Sequence, residues 1–414
     1  MPIRLPRFLR RRKQSPPVPL SLLEHIQREA WRQAGFLARV DDPSFAYSAQ
    51  YAVPQAVEKS TLQLITMAGQ GPIELQGPTP PSRFQEKLTF PLLEAAYCRL
   101  SAAGVVPTGL VLGESLLMGT APLGSIYPSV IRNSLDGKAA VVFSTGMVVL
   151  HMLVGEVLAR AGDGRPVQPA DLEKVLCEST AMDLQRAATT LHGVAESLFG
   201  LVTQNWPYPQ HGVNYTSMSR QPFAAEFLSD SFAFCLLHEL SHLSLGHFSG
   251  AAGLGSLAQR EYDADVHALR GTLASHQPAN NTVPAVIAVL VLFETMSLIY
   301  RTVNYLAFRV DYSFLPATIM SHLYFRAHGE DMHPHPRTRS TFLTMQLKAA
   351  HPDFADRIDT ISRHCHIFFD NVWTVLVGHL PRQNANPSTT WLAVVELHRR
   401  AHAAPTMPSS TKEL

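Results

Sequence analysis

Residues Pro284 to Phe293 read Pro-Ala-Val-Ile-Ala-Val-Leu-Val-Leu-Phe, an unbroken apolar run of ten residues. Glu294, Thr295 and Ser297 interrupt it. A membrane span needs about 20 apolar residues, and an acid near its middle costs roughly 2–3 kcal/mol. The run therefore predicts a buried core helix over residues 284–308 and no membrane span. A helix that is apolar on every side must be wrapped by other elements. The chain can supply them: its 414 residues are 46% hydrophobic and 16% charged, which excludes a disordered chain and allows two or three structural units.

Charge excludes other classes. Lys+Arg number 34 and Asp+Glu 33, a net charge of +1, so no global field favours nucleic acid or an anionic membrane. The four cysteines, Cys98, Cys177, Cys235 and Cys365, lie far apart with no C-x-x-C. They read as reduced, mostly buried thiols of a cytoplasmic protein. Arg10, Arg11, Arg12 and Lys13 open the chain, but Gln-Ser-Pro-Pro-Val-Pro follows instead of an apolar segment. Residues 1–15 are thus expected to be a flexible basic arm and not a signal peptide.

Apolar spacing predicts helices over residues 20–39, 92–103, 146–159, 171–199, 223–248, 256–275, 284–308, 338–349, 352–380 and 390–402. Residues 41–90 read as irregular chain with one strand at 61–67. Asp136-Gly137 separates two extended segments, Ser125–Arg132 and Ala139–Thr145, the pattern of a hairpin. The expected fold class is α+β: a mainly helical domain with a small antiparallel sheet and extra helices at both ends. Expected units are the arm, an N-terminal accessory region (16–115), a central domain (116–350), C-terminal helices (351–402) and a disordered tail (403–414).

The chemistry concentrates in His238-Glu239-Leu240-Ser241-His242, an H-E-x-x-H inside a helical apolar run. Residues four apart share a helix face, so His238 and His242 can ligate one ion. Glu239 then lies beside the ion, within reach of a water that zinc would acidify, and can act as general base. A catalytic zinc needs a third protein ligand. The extension H-x-x-G-x-x-H is absent, because Leu245 and Phe248 stand where glycine and histidine would be needed. His247 is five residues past His242, off the ligand face. Glu261, 19 residues past His242, is the better candidate, with Asp265 four residues further on the same face. That spacing allows Glu261 on the metal and Asp265 accepting a hydrogen bond from a ligand histidine. Asp263 and His267 are substitute ligands. Ala264 is small enough for two helices to approach closely. His364-Cys365-His366 does not make a second site, because adjacent helical positions face different ways.

His238-Glu-Leu-Ser-His242, Leu243-Ser-Leu-Gly-His247 and Glu261-Tyr-Asp-Ala-Asp265 together resemble the gluzincin metallopeptidases of the HtpX and CAAX-prenyl-protease type, where H-E-x-x-H precedes E-x-x-A-D. His333-Pro334 with Arg339 is similar to the H-P-x-x-x-x-R of that group, and Asp136–Met147 resembles its strand leading into a turn. Ser241 stands where the group commonly has glycine. The resemblance runs from about Ser125 to Gln346, and there is a looser one to the phage-exclusion peptidases of the Lit type. It implies a zinc-dependent endopeptidase with a protein or peptide substrate, Zn2+ on His238, His242 and Glu261, and a substrate backbone laid on the Gly137–Thr145 strand. His333, His335 and Arg339 are candidates for stabilising the oxyanion. The competing expectation is an inactive metallopeptidase-like module that binds a partner protein or peptide.

Overall fold

A computed structural model describes residues 21–32, 82, 90–122, 128–132, 137–162, 167–179, 181–204, 223–247, 256–276, 282–308 and 334–380. The basic arm, the strand at 61–67, His333, the helix at 390–402 and the tail from 403 lie outside them. Within the described residues the fold is α+β: helices surround a core helix and a three-stranded sheet sits at one side.

The elements run α1 (Leu22–Trp31), α2 (Phe90–Ala102), β1 (Leu116–Ala121), β2 (Ser129–Arg132), β3 (Ala139–Ser144) and α3 (Thr145–Ala161). Then come α4 (Leu172–Glu178), α5 (Ala181–Arg186), α6 (Ala188–Gln204), α7 (Phe223–Ser244), α8 (Leu257–Ala274), α9 (Val283–Phe308), α10 (Pro336–Ala350) and α11 (Ala355–Val377). Local chemistry sets several starts. Ser21 and Glu24 form a reciprocal capping box at α1. The Ser256 hydroxyl accepts from the Gln259 N–H at α8. Pro336 opens α10, and the His335 ring accepts from the Arg337 N–H.

The predicted helix over 171–199 is broken into α4, α5 and the start of α6. The Ser179 hydroxyl donates to the Val175 carbonyl at 2.6 Å, and Ser179 itself is extended, which ends α4. A tight turn through Ala187 separates α5 from α6, with its N–H on the Leu184 carbonyl. Neither break contains Gly or Pro, so neither carries a strong sequence signal.

The sheet order is β1-β3-β2. β2 pairs antiparallel with β3, Ser129 opposite Val142 and Arg132 opposite Ala139, as the Asp-Gly signal predicts. Gly137 takes φ +71° in the connection, a conformation that glycine adopts without steric cost. β1 adds a parallel neighbour on the other side of β3, Leu116 opposite Ala139 through Ala121 opposite Ser144, so the sheet is mixed. β3 is therefore the central strand, paired on both sides along Ala139–Val142. That corrects the expectation that the Gly137–Thr145 strand receives a substrate backbone; among the described residues the outer strands are β1 and β2, and β2 is the one that packs on α7.

α1 lies on the sheet, with Leu23 and Ala30 clustered against Ala121 and Val142, and Gln27 donating to the Thr120 carbonyl at 2.8 Å. The main core gathers around α9, against which α7, α10 and α11 pack. By length and composition α9 could cross a membrane, but 94% of its most apolar 18-residue stretch is buried by the protein itself. Of the cysteines, Cys235 and Cys365 are buried, whereas Cys98 and Cys177 are exposed.

Glu294 explains itself by its partners. It is buried within α9, accepts from Arg337 Nη2 at 2.9 Å, and meets His366 Nδ1 at 2.6 Å. Arg337 also reaches Asp370 at 2.8 Å, and Arg301 pairs with the same carboxylate. Burial alone would raise the Glu294 pKa, but Arg337 and His366 outweigh it and hold it down to about 2. Removing one member of a buried ion pair typically costs about 3–5 kcal/mol. We expect Glu294→Leu to lower unfolding stability by roughly that amount in urea titrations at pH 7. Because the folded pKa is depressed, this contribution is present above pH 4.5 and is lost as pH falls toward 2. The gap between wild type and variant should shrink over that range.

Candidate metal centre

α7 and α8 pack against each other, and Ala264 of α8 is wholly buried. At Gly271 an added Cβ would lie 2.7 Å from the Leu237 side chain, so the helices approach closely there too. α7 presents His238, Glu239 and His242, and α8 presents Glu261 and Asp265; all five are buried. His238 Nε2 and His242 Nε2 are 3.1 Å apart. Glu261 Oε2 lies 3.3 Å from the first and Glu261 Oε1 lies 3.4 Å from the second. His238, His242 and Glu261 thus converge as a set that could hold a metal ion.

The donor set fits zinc. Tetrahedral zinc with bonds of about 2.0–2.1 Å requires ligand atoms about 3.3–3.4 Å from one another. The two histidine nitrogens are 3.1 Å apart, and the two oxygens of Glu261 lie 3.3 and 3.4 Å from them, separations of that order. Two imidazoles and one carboxylate are also the chemistry zinc prefers. The substitute ligands face elsewhere: Asp263 and His267 are exposed, and Asp263 accepts from Gln259.

Asp265 does not join the triangle. Its Oδ1 lies 3.0 Å from His238 Nδ1, the ring nitrogen facing away from His242. Arg339 of α10 grips the same carboxylate in bidentate fashion, Nη2 to Oδ1 at 2.6 Å and Nε to Oδ2 at 2.8 Å. Its Nη1 stands 3.3 Å from Glu261 Oε2, and its guanidinium lies 5.3 Å from the Phe293 ring centroid. One cation thus ties Glu261 and Asp265 of α8 to α10. Burial would raise the Asp265 pKa, but Arg339 and then His238 pull it below the ordinary range. At His238, burial would lower the pKa, but hydrogen bonds to Asp265 and Glu261 and the charge of Asp265 raise it to about 9. The acids draw positive charge into this spot, which a bound cation would equally supply.

Glu239 is buried beside the triangle. Burial pushes its carboxyl up to about 8, with the Glu261 charge adding to that; His238, Arg339 and the Val130 N–H of β2 act the other way. The Val130 amide is near enough to favour the ionised carboxyl, and β2 packs on α7, so this outer strand and the general-base candidate are neighbours. Burial, with the His238 charge adding to it, lowers the His242 pKa to about 3.

The remaining candidates separate. His335 caps α10, and its ring stands edge-on to Tyr300 at 5.2 Å. His333 lies outside the described residues. His364 meets Cys177, Cys365 points into the core and His366 meets Glu294, so this triplet diverges three ways. Sequence spacing missed His247. It sits beyond the end of α7, where helical spacing no longer applies, and its Nδ1 comes within 2.8 Å of His242 Nδ1.

A family model described as Peptidase U49 matches residues 147–312, short of half the chain but including His238 through Asp265. The match supports a peptidase, and with it a hydrolase acting on protein or peptide substrates. U49 is a Lit-type family, so of the two resemblances the match supports the looser one; the likeness to HtpX and the CAAX-prenyl proteases stays one of motifs. Searches of curated proteins and of solved structures found no match.

Arg339→Ala would leave Asp265 and Glu261 buried without their shared cation, a loss of roughly 3–5 kcal/mol. We expect the variant to regain part of this as pH falls from 7 toward 5, because burial then raises its carboxyl pKa values and protonation relieves the charge. Urea midpoints of wild type and variant across that range check this, the gap narrowing toward pH 5.

Proposed function

We propose that the protein is a zinc-dependent endopeptidase. The observation that carries this reading is the buried convergence of His238, His242 and Glu261, whose nearest ligand atoms lie 3.1–3.4 Å apart, next to Glu239. His238, His242 and Glu261 would hold the ion. Zinc bound there supplies a Lewis acid that polarises water and the scissile carbonyl.

The chain's own residues do the rest. Glu239 takes the proton from the attacking water and passes it to the leaving amine. Its high pKa describes the chain alone; a divalent charge nearby favours the ionised form that a base needs. Asp265 accepts a proton-bearing Nδ1 from His238, which leaves Nε2 free to ligate. Arg339 holds Asp265 and Glu261 in place. With its guanidinium committed to those carboxylates, Arg339 serves the ligands better than a developing oxyanion. We assign no oxyanion role to His335, whose ring caps a helix. The substrate backbone lies along β2, the outer strand that packs beside Glu239, by strand addition. The protein acts in the cytoplasm, on a protein or peptide substrate and without nucleic acid.

Purified protein should carry close to one zinc per chain by elemental analysis. His238→Ala, His242→Ala and Glu261→Ala should each lose it, whereas Glu239→Gln should keep zinc and lose turnover. Asp265→Asn should weaken zinc retention and turnover by about 10–100-fold. Cleaved termini in cells expressing wild type, compared with Glu239→Gln, identify the substrate. A chain that holds zinc yet yields no such difference would be a binding module, and a chain that holds no zinc would overturn the metal assignment.

A further inference from the structure

The sequence places His247 off the ligand face of α7, yet the fold returns it to that face by a specific turn. α7 ends at Ser244, and Gly246 adopts φ +71°. The His247 N–H then bonds to the His242 carbonyl at 3.0 Å, and the Gly246 N–H to the Leu243 carbonyl at 3.3 Å. This pair of bonds is the Schellman arrangement, which needs a left-handed residue and so favours glycine. The reversal folds the His247 side chain back over the helix end. Its ring centroid lies 4.9 Å from that of His242, and the two Nδ1 atoms are 2.8 Å apart. α8 fixes the turn from outside, where Arg260 Nη1 donates to the His247 carbonyl at 3.2 Å. The His247 side chain is buried.

Proton bookkeeping gives this contact a direction. His242 Nε2 faces His238 and Glu261, so ligation requires a bare lone pair there. A neutral imidazole with a bare Nε2 carries its proton on Nδ1. That proton points at His247 Nδ1, which must therefore accept and carry its own proton on Nε2. The opposite tautomer of His247 would set two donors against each other across 2.8 Å.

We propose that His247 is the positioning residue of His242: its Nδ1 lone pair selects the His242 tautomer that ligates the metal and fixes the ring's orientation. It does for His242 what Asp265 does for His238, but with a neutral acceptor in place of a carboxylate. The two ligand histidines are therefore unequal, because a carboxylate partner raises ligand basicity more. This inference rests on the metal reading above.

The test compares two replacements. Asn Oδ1 can occupy the place of His Nδ1 and accept, whereas Leu fills similar space and cannot. Zinc affinity is measured by competition with a chromogenic chelator, and ligand geometry by the visible spectrum of the cobalt-substituted protein. Circular dichroism and thermal midpoints of the metal-free chains control for folding. His247→Leu should weaken zinc binding by about 10–100-fold and alter the cobalt spectrum. His247→Asn should stay within a few-fold of wild type with an unchanged spectrum. Equal affinity in His247→Leu and wild type would overturn the inference, as would equal weakening in both variants, which marks a packing role only. Wild type that binds no zinc would instead overturn the metal reading itself. Should His247→Leu not fold, nitrogen NMR of the zinc-loaded wild type decides: Nδ1–H on His242 with Nε2–H on His247 supports the assignment, and Nδ1–H on His247 refutes it.

Discussion

The guanidinium of Arg339 is the interaction on which the candidate site depends. Asp265 and Glu261 project from one face of α8 into a buried space, where two carboxylates would repel each other and resist desolvation. A single cation with a forked geometry answers both, binding Asp265 twice and reaching Glu261 with its remaining nitrogen. Through Asp265 the same contact extends to His238 and so to α7. Three helices are joined at a point where apolar packing alone would not fix their rotation. A lysine could not reproduce the arrangement, because a point charge cannot hold two carboxylates in a fixed plane.

The first turn of α10 carries more than this one cation. Arg337 and Arg339 leave it in different directions, the first to Glu294 and Asp370, the second to Asp265 and Glu261. Cations at a helix N-terminus oppose the macrodipole, by about 0.3–1 kcal/mol each. Here the buried acids outweigh that term, and the Pro336 start with its His335 cap holds the turn in place. The acid inside the apolar helix α9 and the acids of the candidate site are thus neutralised from one short segment. That gives His335 and Pro336 at the start of α10 a structural purpose independent of any direct part in chemistry.

Much of this was legible in the sequence, for identifiable reasons. His238, His242, Glu261 and Asp265 lie within helices, where four-residue spacing maps directly onto a face. The buried helix α9 follows from its composition, and the β2–β3 pairing from Asp136-Gly137. What escaped lies where periodicity stops. His247 follows a left-handed glycine, so counting along the helix sends it to the wrong side. β1 contains Gly119, has few β-branched residues and pairs parallel with β3, so no turn announces it. The central position of β3 depends on β1, and so the outer strands could be identified only in three dimensions. Arg339 could be tied to the site by the H-P-x-x-x-x-R resemblance, but not given its partners.

β2 is only four residues long. At about 3.3 Å per residue it offers an edge of roughly 13 Å. Alternate residues turn their backbone groups outward, and the Val130 N–H is directed at Glu239, so an added strand gains about two or three ladder bonds. Each contributes a net 0.5–1.5 kcal/mol or so, well below the roughly 5–15 kcal/mol that hold a folded domain together. Such an edge cannot pull an extended segment out of a folded target. A peptidase working along it would select first by conformation, taking chain that is already loose, and only afterwards by sequence.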